Sequence, residues 1–339
     1  MKSIKTLYTL AAIIGLSYNS VSAQTQPVAT TPTVTFQNVS NLPYPLTWTS
    51  SVTDGNNIYT VAGYKGGRGG YSSDVLKYSP KTNTWTKIAD MGGNKVQSAT
   101  AYVPATGKIY VFGGIGGVSN NIRTSQIFQG VQSVDIKTGE VKNLNVLNPM
   151  ASTYGSAIEW DNKIYLFGGS REEKRSINSV YEFDPTTLQF KQLANMPEYL
   201  QAAGAVVNGV IYTFGGYDTF LKHQGTNIYA YDIKANTWKT AGKLPEFMSA
   251  NSVAASGNVI FVAGSYDDEN LLGYFDTDNG KFTKLKSNME PRRAASSAIV
   301  NNMLFVFGGT TRFKAFNVST LETVQATNIT PFLKNSTSR

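Results

Sequence analysis

The reactive side chains of this chain limit its chemistry before any fold is considered. It has a single histidine, His223, and no cysteine among 339 residues. Thiolate metal sites, cysteine nucleophiles, disulfides and multi-histidine zinc centres are therefore excluded. A serine–histidine pair would have to use His223, and no Gly-x-Ser-x-Gly elbow accompanies it. The glycine-rich run Gly63–Gly70 lacks Gly-Lys-Ser/Thr and precedes no helix, so it reads as a loop and not a phosphate cradle. Asp276–Gly280 is one residue short of a calcium-loop pattern and reads as a turn. What remains is arginine: Arg68, Arg123, Arg171, Arg175, Arg292, Arg293, Arg312 and Arg339. Guanidinium forks match carboxylates and phosphates in a bidentate geometry, whereas lysine acts mainly as a point charge.

The elements that position these groups come from a repeat. An apolar strand ending in a small-residue doublet occurs at Ile58–Gly63, Ile109–Gly114, Ile164–Gly169, Ile211–Gly216, Ile260–Ser265 and Leu304–Gly309. Their starts fall 44 to 55 residues apart, the spacing of a repeat architecture. Each copy follows a small-residue strand and a hairpin turn such as Asn208-Gly209, whose residues tolerate positive φ. A second hairpin follows, with paired positions seven residues apart: Tyr78 and Trp85, Val134 and Val141, Phe183 and Phe190, Tyr231 and Trp238, Phe275 and Phe282, and weakly Phe316 and Thr323. The unit is thus a four-stranded antiparallel sheet, with strands a to d from the inside out. One such sheet cannot bury both apolar faces, but a ring of them can.

The Gly-Gly doublet, the Phe183-Asp-Pro185 strand, the tryptophan seven residues on and the Met289-Glu-Pro-Arg-Arg293 exit resemble kelch repeats. The resemblance covers residues 34–330 and implies an all-β fold, a six-bladed kelch-type β-propeller of four-stranded antiparallel blades. Phe36 to Leu42 resembles an outer d strand placed ahead of its blade, and is expected to close the last one. Thr323 to Asn328 competes for that place. Propellers of this kind include copper oxidases resembling galactose oxidase, which need two histidines and a cysteine; this chain has neither set, and no cofactor or metal is expected.

The flanks read differently. Lys2 and Lys5, the apolar run Leu7 to Leu16 and Val21-Ser22-Ala23 form a signal peptide over residues 1–23, cut after Ala23. This predicts a periplasmic or secreted protein. Residues 24–33 read as a disordered leader and 331–339 as a polar tail. No run is long enough to span a bilayer. The net charge of +8 does not indicate nucleic-acid binding, because export and the absence of a lysine-rich stripe oppose it.

In the implied topology the b–c and d–a connections share one face. Seven of the eight arginines fall in them: Arg68, Arg123, Arg171, Arg175 and Arg312 in b–c connections, Arg292 and Arg293 in a d–a connection. Tyr64, Tyr217 and Tyr266 accompany them, together with Tyr71, Tyr154, Tyr199 and Phe247. The expected ligand contacts are Tyr64, Arg68, Arg123, Arg171, Tyr217, Tyr266, Arg292, Arg293 and Arg312. The partner is an acidic saccharide or a protein. As a second reading, the chain is similar to exported bacterial mutarotases of N-acetylneuraminate in size, signal peptide and repeat number. That resemblance implies a cofactor-independent mutarotase, with Glu172, Glu173, His223 and Asp267 as candidate proton-transfer groups.

Overall fold

The computed structural model describes residues 31–117, 126–171, 175–313 and 317–333. The expected signal peptide, most of the expected leader, Arg123, Glu172, Glu173, Phe316 and most of the polar tail lie outside them, as does the side chain of Arg68. Among the described residues no helix is long and apolar enough to cross a membrane.

Antiparallel sheets follow one another along the chain. The second sheet has strands Ala99–Val103, Lys108–Phe112, Gly130–Asp135 and Val141–Leu147. The third has Ser156–Trp160, Lys163–Phe167, Val180–Asp184 and Gln189–Gln192. The fourth has Ala203–Val207, Val210–Phe214, Asn227–Asp232 and Thr237–Lys243. The fifth has Ser252–Ser256, Val259–Ala263, Leu272–Asp276 and Lys281–Lys284. The last combines Ser296–Val300, Met303–Phe307 and Val324–Asn328 with the N-terminal strand Gln37–Asn38.

The expectation of a six-bladed propeller is therefore corrected: five sheets are four-stranded antiparallel blades, and the strands of the first repeat form no blade of that kind. Its strands Ser50–Thr53, Ile58–Tyr64, Tyr71–Ser79 and Thr84–Val96 belong to a six-stranded sheet, extended by Ile115–Gly117 and Gln126–Ile127. The physical reason is the length of Thr84–Val96, 13 residues, against a usual strand of about 5–6. Its far end runs past its own partner, and its edge pairs Lys95 with Gly116 and Val96 with Ile115 from the b–c connection of the second repeat.

The last repeat also differs from expectation. Its c strand is Val324–Asn328, displaced by a hairpin of Thr310–Phe313 with Asn317–Thr320 in the b–c connection. Of the expected pair Phe316 and Thr323, Phe316 lies outside the described residues and Thr323 precedes the c strand. Gln37 pairs with Ala326 and Asn38 with Gln325. The two segments that competed for closure lie side by side, with the N-terminal strand outermost.

The seven-residue spacing places each aromatic pair directly across a hairpin. Tyr78 faces Trp85 with ring centroids 5.0 Å apart, Phe183 faces Phe190 at 4.7 Å and Tyr231 faces Trp238 at 4.9 Å. The core lies between successive sheets. Tyr59, Val61 and Val75 of the first pack with Ile109, Val111 and Val134 of the second. Leu76 and Tyr78 pack with Ala298, Phe305 and Phe307 of the last sheet, which joins the end of the series to its beginning.

The glycine doublet has a specific task. Gly113 has φ +61°, and a Cβ there would lie 2.2 Å from the carbonyl oxygen of Ser152. The N–H of Gly114 donates to that same oxygen at 2.8 Å. The doublet therefore brings the end of one b strand onto the d–a connection of the next repeat, where no side chain fits. Gly169 to Leu200, Gly216 to Met248 and Gly309 to Leu46 repeat the bond.

Candidate binding pocket at the loop face

The d–a connections end at the inner strands, and five of them carry a left-handed residue two positions before strand a. These are Trp48 (φ 48°), Gln97 (62°), Tyr154 (55°), Ala250 (52°) and Ala294 (49°). Their backbones form a chain of hydrogen bonds between repeats: Ala294 N–H to Ala250 O at 2.8 Å, Trp48 to Ala294 at 3.1 Å, Gln97 to Trp48 at 3.3 Å and Tyr154 to Gln97 at 3.2 Å. The connection into the fourth sheet is one residue shorter, from the bonded carbonyl of Leu200 to Ala203. It has no left-handed residue and leaves the chain open there. Serines at the start of strand a tie neighbouring repeats: Ser50 Oγ donates to Ser98 O at 2.7 Å, Ser156 Oγ to Ala202 O at 2.8 Å and Ser296 Oγ to Thr49 O at 2.7 Å.

These connections floor a cavity of about 850 Å³. Trp48, Gln97, Ser98, Tyr154, Gln201, Ala250, Asn251, Arg293 and Ala294 line it from the d–a side, and Tyr64, Gly66, Tyr217, Gln224, Tyr266 and Thr320 from the b–c side. Several polar atoms on this wall are buried without a partner: Gln97 Oε1, Ser98 Oγ, Gln224 Oε1 and Asn251 Nδ2. Buried polar groups are normally hydrogen-bonded, so four unpartnered polar atoms on residues of one lining leave hydrogen-bonding capacity next to the cavity.

The cavity has one charged corner. The Arg293 guanidinium lies 4.2 Å from the Tyr266 ring centroid, and Arg312 lies 5.0 Å from the same ring. Arg312 also donates to the Tyr266 hydroxyl at 3.1 Å. Glu269 sits 3.7 Å from Arg293 Nε and accepts from Thr311 Oγ1 at 3.0 Å and from the Arg312 backbone N–H. Two guanidinium groups against one carboxylate leave a single net positive charge around a half-exposed tyrosine. Among the described residues no cluster of three or more His, Asp or Glu side chains could hold a metal ion.

The structure separates the expected site residues. Tyr64, Tyr217, Tyr266 and Arg293 line the cavity, with Arg312 joined to them through Tyr266. Arg292 does not: it is fully buried. Its guanidinium donates to Gly308 O at 3.0 Å, Thr323 O at 3.2 Å, Gln325 Oε1 at 3.0 Å and Glu290 Oε2 at 3.1 Å. Burial pulls its pKa down to about 10, and its role is a strut inside the last repeat. Arg171 is exposed and donates to Pro149 O, while Arg175 stacks on Phe220 at 5.3 Å. His223 is exposed, 3.9 Å from Glu198 and off the lining. Asp267 accepts from Gln224 Nε2 at 2.5 Å. Sequence reasoning missed Trp48, Gln97, Gln201, Gln224 and Asn251. Counting back from each strand a, in register with the doublets, would have found all of these except Gln224.

The family described as the KLHDC2/KLHL20/DRC7 Kelch-repeats domain matches residues 48–265 and 103–309. The chain belongs to the kelch-repeat family. This kelch chain is 31% identical to Kelch-like protein 23 of Homo sapiens over 210 residues, which are 62% of this chain and 35% of that protein. It is 28% identical to Kelch-like protein 38 of Mus musculus over 240 residues, 70% of this chain and 39% of that protein. The kelch chain thus spans little more than a third of those relatives. It is 25% identical to N-acetylneuraminate epimerase of Salmonella arizonae over 299 residues, 86% of this chain and 69% of that protein. The solved structure of YjhT shares the fold at a TM-score of 0.69 and 19% identity, covering 85% of this chain and 96% of that one.

Proposed function

We propose that this kelch domain is a binding module whose loop-face cavity takes a small acidic saccharide. The observation that carries the reading is the convergence of unpartnered amide and hydroxyl groups with a cationic corner in one cavity. Its volume of about 850 Å³ falls within the roughly 300–1,000 Å³ of small-molecule sites. Gln97 Oε1 and Gln224 Oε1 accept from sugar hydroxyls, Asn251 Nδ2 donates, and Arg293 with Arg312 offsets a carboxylate. Isothermal titration with N-acetylneuraminate, glucuronate and N-acetylglucosamine tests it. The acids are expected to bind more tightly than the neutral sugar, and Arg293→Gln is expected to remove the difference. Equal affinity for acid and neutral sugar overturns the acidic preference. No saccharide binding at all points instead to a protein partner on the rim, where Tyr199, Phe220, Leu221 and Phe247 are exposed.

A mutarotase is the second reading, favoured because the similarity to the N-acetylneuraminate epimerase runs through 86% of this chain. Anomeric exchange needs one group to accept the anomeric hydroxyl proton and another to donate to the ring oxygen. Asp267 and Glu269 are the carboxylates tied to lining side chains, through Gln224 and Arg293. NMR of freshly dissolved α-N-acetylneuraminate separates the readings: an exchange rate equal to buffer removes the enzyme and leaves the binder. We further infer export of the chain, with a mature N-terminus at Gln24, which intact mass measurement of the secreted fraction tests.

A further inference from the structure

We propose that Trp48, Gln97 and Tyr154 form the arc of the cavity that determines which saccharide it takes, with a pyranose ring laid on Trp48 and a ring hydroxyl donating to Gln97 Oε1. This rests on the saccharide reading of the cavity and names the residues that select within that class.

The fold imposes a left-handed residue two positions before strand a in five connections, and at two of them the chain supplies alanine, Ala250 and Ala294. That conformation is unfavourable for any L-residue except glycine, and asparagine tolerates it next best. The fold alone would be served by glycine or asparagine at every such position. Three successive connections instead place Trp48, Gln97 and Tyr154 there, the costlier choice. Strain of this kind gathers where a site needs it.

The arc is also held rigid. The Trp48 N–H donates to Ala294 O and its carbonyl accepts from Gln97; the Gln97 carbonyl accepts in turn from Tyr154. The Trp48 and Tyr154 rings meet edge to face, 6.2 Å apart at 88°. Gln97 Nε2 lies 2.5 Å from the Tyr154 hydroxyl, which leaves Oε1 buried and unpartnered on the cavity wall. Trp48 nevertheless remains 39% exposed, so much of its ring is uncovered. The next two positions of the chain, Ala294 and Ala250, line the same cavity with small side chains. An exposed aromatic face beside a fixed acceptor suits the CH face and hydroxyl of a pyranose, and ring faces bind such apolar surfaces well.

The test uses the full chain with N-acetylneuraminate and a neutral methyl pyranoside. Trp48→Gly and Gln97→Ala are each expected to weaken saccharide binding about tenfold or more, with Trp48→Gly melting no lower than wild type because glycine relieves the left-handed residue and Gln97→Ala, which keeps a Cβ there, melting close to wild type. Trp48→Phe is expected to recover part of the affinity. Wild-type affinity in Trp48→Gly and Gln97→Ala overturns the arc and leaves the cavity reading intact. Loss of binding together with lower melting in both variants also overturns it, since the residues are then packing elements. A wild-type protein that binds no saccharide overturns the cavity reading and the arc with it.

Discussion

Lys95 shows how a single side chain can be placed against its own preference. It is buried at the end of the long strand Thr84–Val96, with its ammonium 3.8 Å from the Phe128 ring centroid and without a hydrogen-bond partner. Burial pulls its pKa down to about 8. The folded protein therefore releases this proton near pH 8, and the unfolded chain near the ordinary value of about 10.4. Between those values the unfolded state holds more protons, so stability rises with pH across the window, and the burial cost is fully present below it. Lys95→Met is expected to raise stability at pH 7 by about 1–3 kcal/mol, with the gain shrinking as pH rises from about 8 to about 10.4; urea unfolding at the two ends of that window measures it. The paired arginines make the same point about context. Neighbouring residues of one type, Arg292 and Arg293, are respectively a buried strut and a cavity wall, and only the alternation of side chains along the connection into the last sheet separates them. The sequence placed both on the loop face, yet which one points inward depends on Gly308 and Thr323, which arrive from elsewhere in the repeat.

At the scale of elements, the repeated motifs are devices that join one sheet to the next. Asn83 holds the Tyr78 hydroxyl and the Ser40 N–H, each at 2.8 Å, while Trp85 Nε1 donates to Ser40 O at 3.0 Å. Asn236, Tyr231, Trp238 and Ala194 repeat the clasp between the third and fourth sheets. The spacing of these aromatics was readable as a hairpin, because the partners lie within one repeat. The backbone they clasp was not, because it belongs to a different repeat. The doublet behaves alike. Gly308 has φ +61°, and a Cβ there would lie 2.3 Å from Leu46 O. Gly308→Ala is expected to cost about 2–3 kcal/mol, measured by the shift in unfolding midpoint with an unchanged urea slope. In the last repeat Thr310–Phe313 and Asn317–Thr320 pair with each other within the b–c connection, so the c strand starts only at Val324, later than the seven-residue spacing suggested.

At the scale of the molecule, the N-terminal segment fastens two sheets. Thr33 and Val34 pair in parallel with Lys286 and Ser287 beside the fifth sheet, before Gln37 and Asn38 join the last one. Asn288 grips the turn between them, accepting from Phe36 N–H at 2.7 Å and donating to Phe36 O at 3.0 Å. Phe36 is buried between the two sheets at 3% exposure. Phe36→Ala is expected to cost about 3–5 kcal/mol. Hydrogen exchange is expected to quicken first in Lys286–Ser287 and Val324–Asn328, the strands this segment pairs with. Uniform loss of protection across all sheets would show that closure is not the weak point.

What the sequence determined by itself is the repeating unit: its hairpins, its cross-strand aromatic pairs, the doublet, and the face on which the irregular connections gather. These follow from local periodicity and turn chemistry, which act over a few tens of residues. Only the tertiary structure decided how many strands the first sheet carries, which arginine is a strut, and that Trp48, Gln97 and Tyr154 meet around one cavity. Those outcomes depend on hydrogen bonds between repeats, from Gln97 to Trp48 and from Tyr154 to Gln97. The residues joined there are brought together only when the ring of sheets closes.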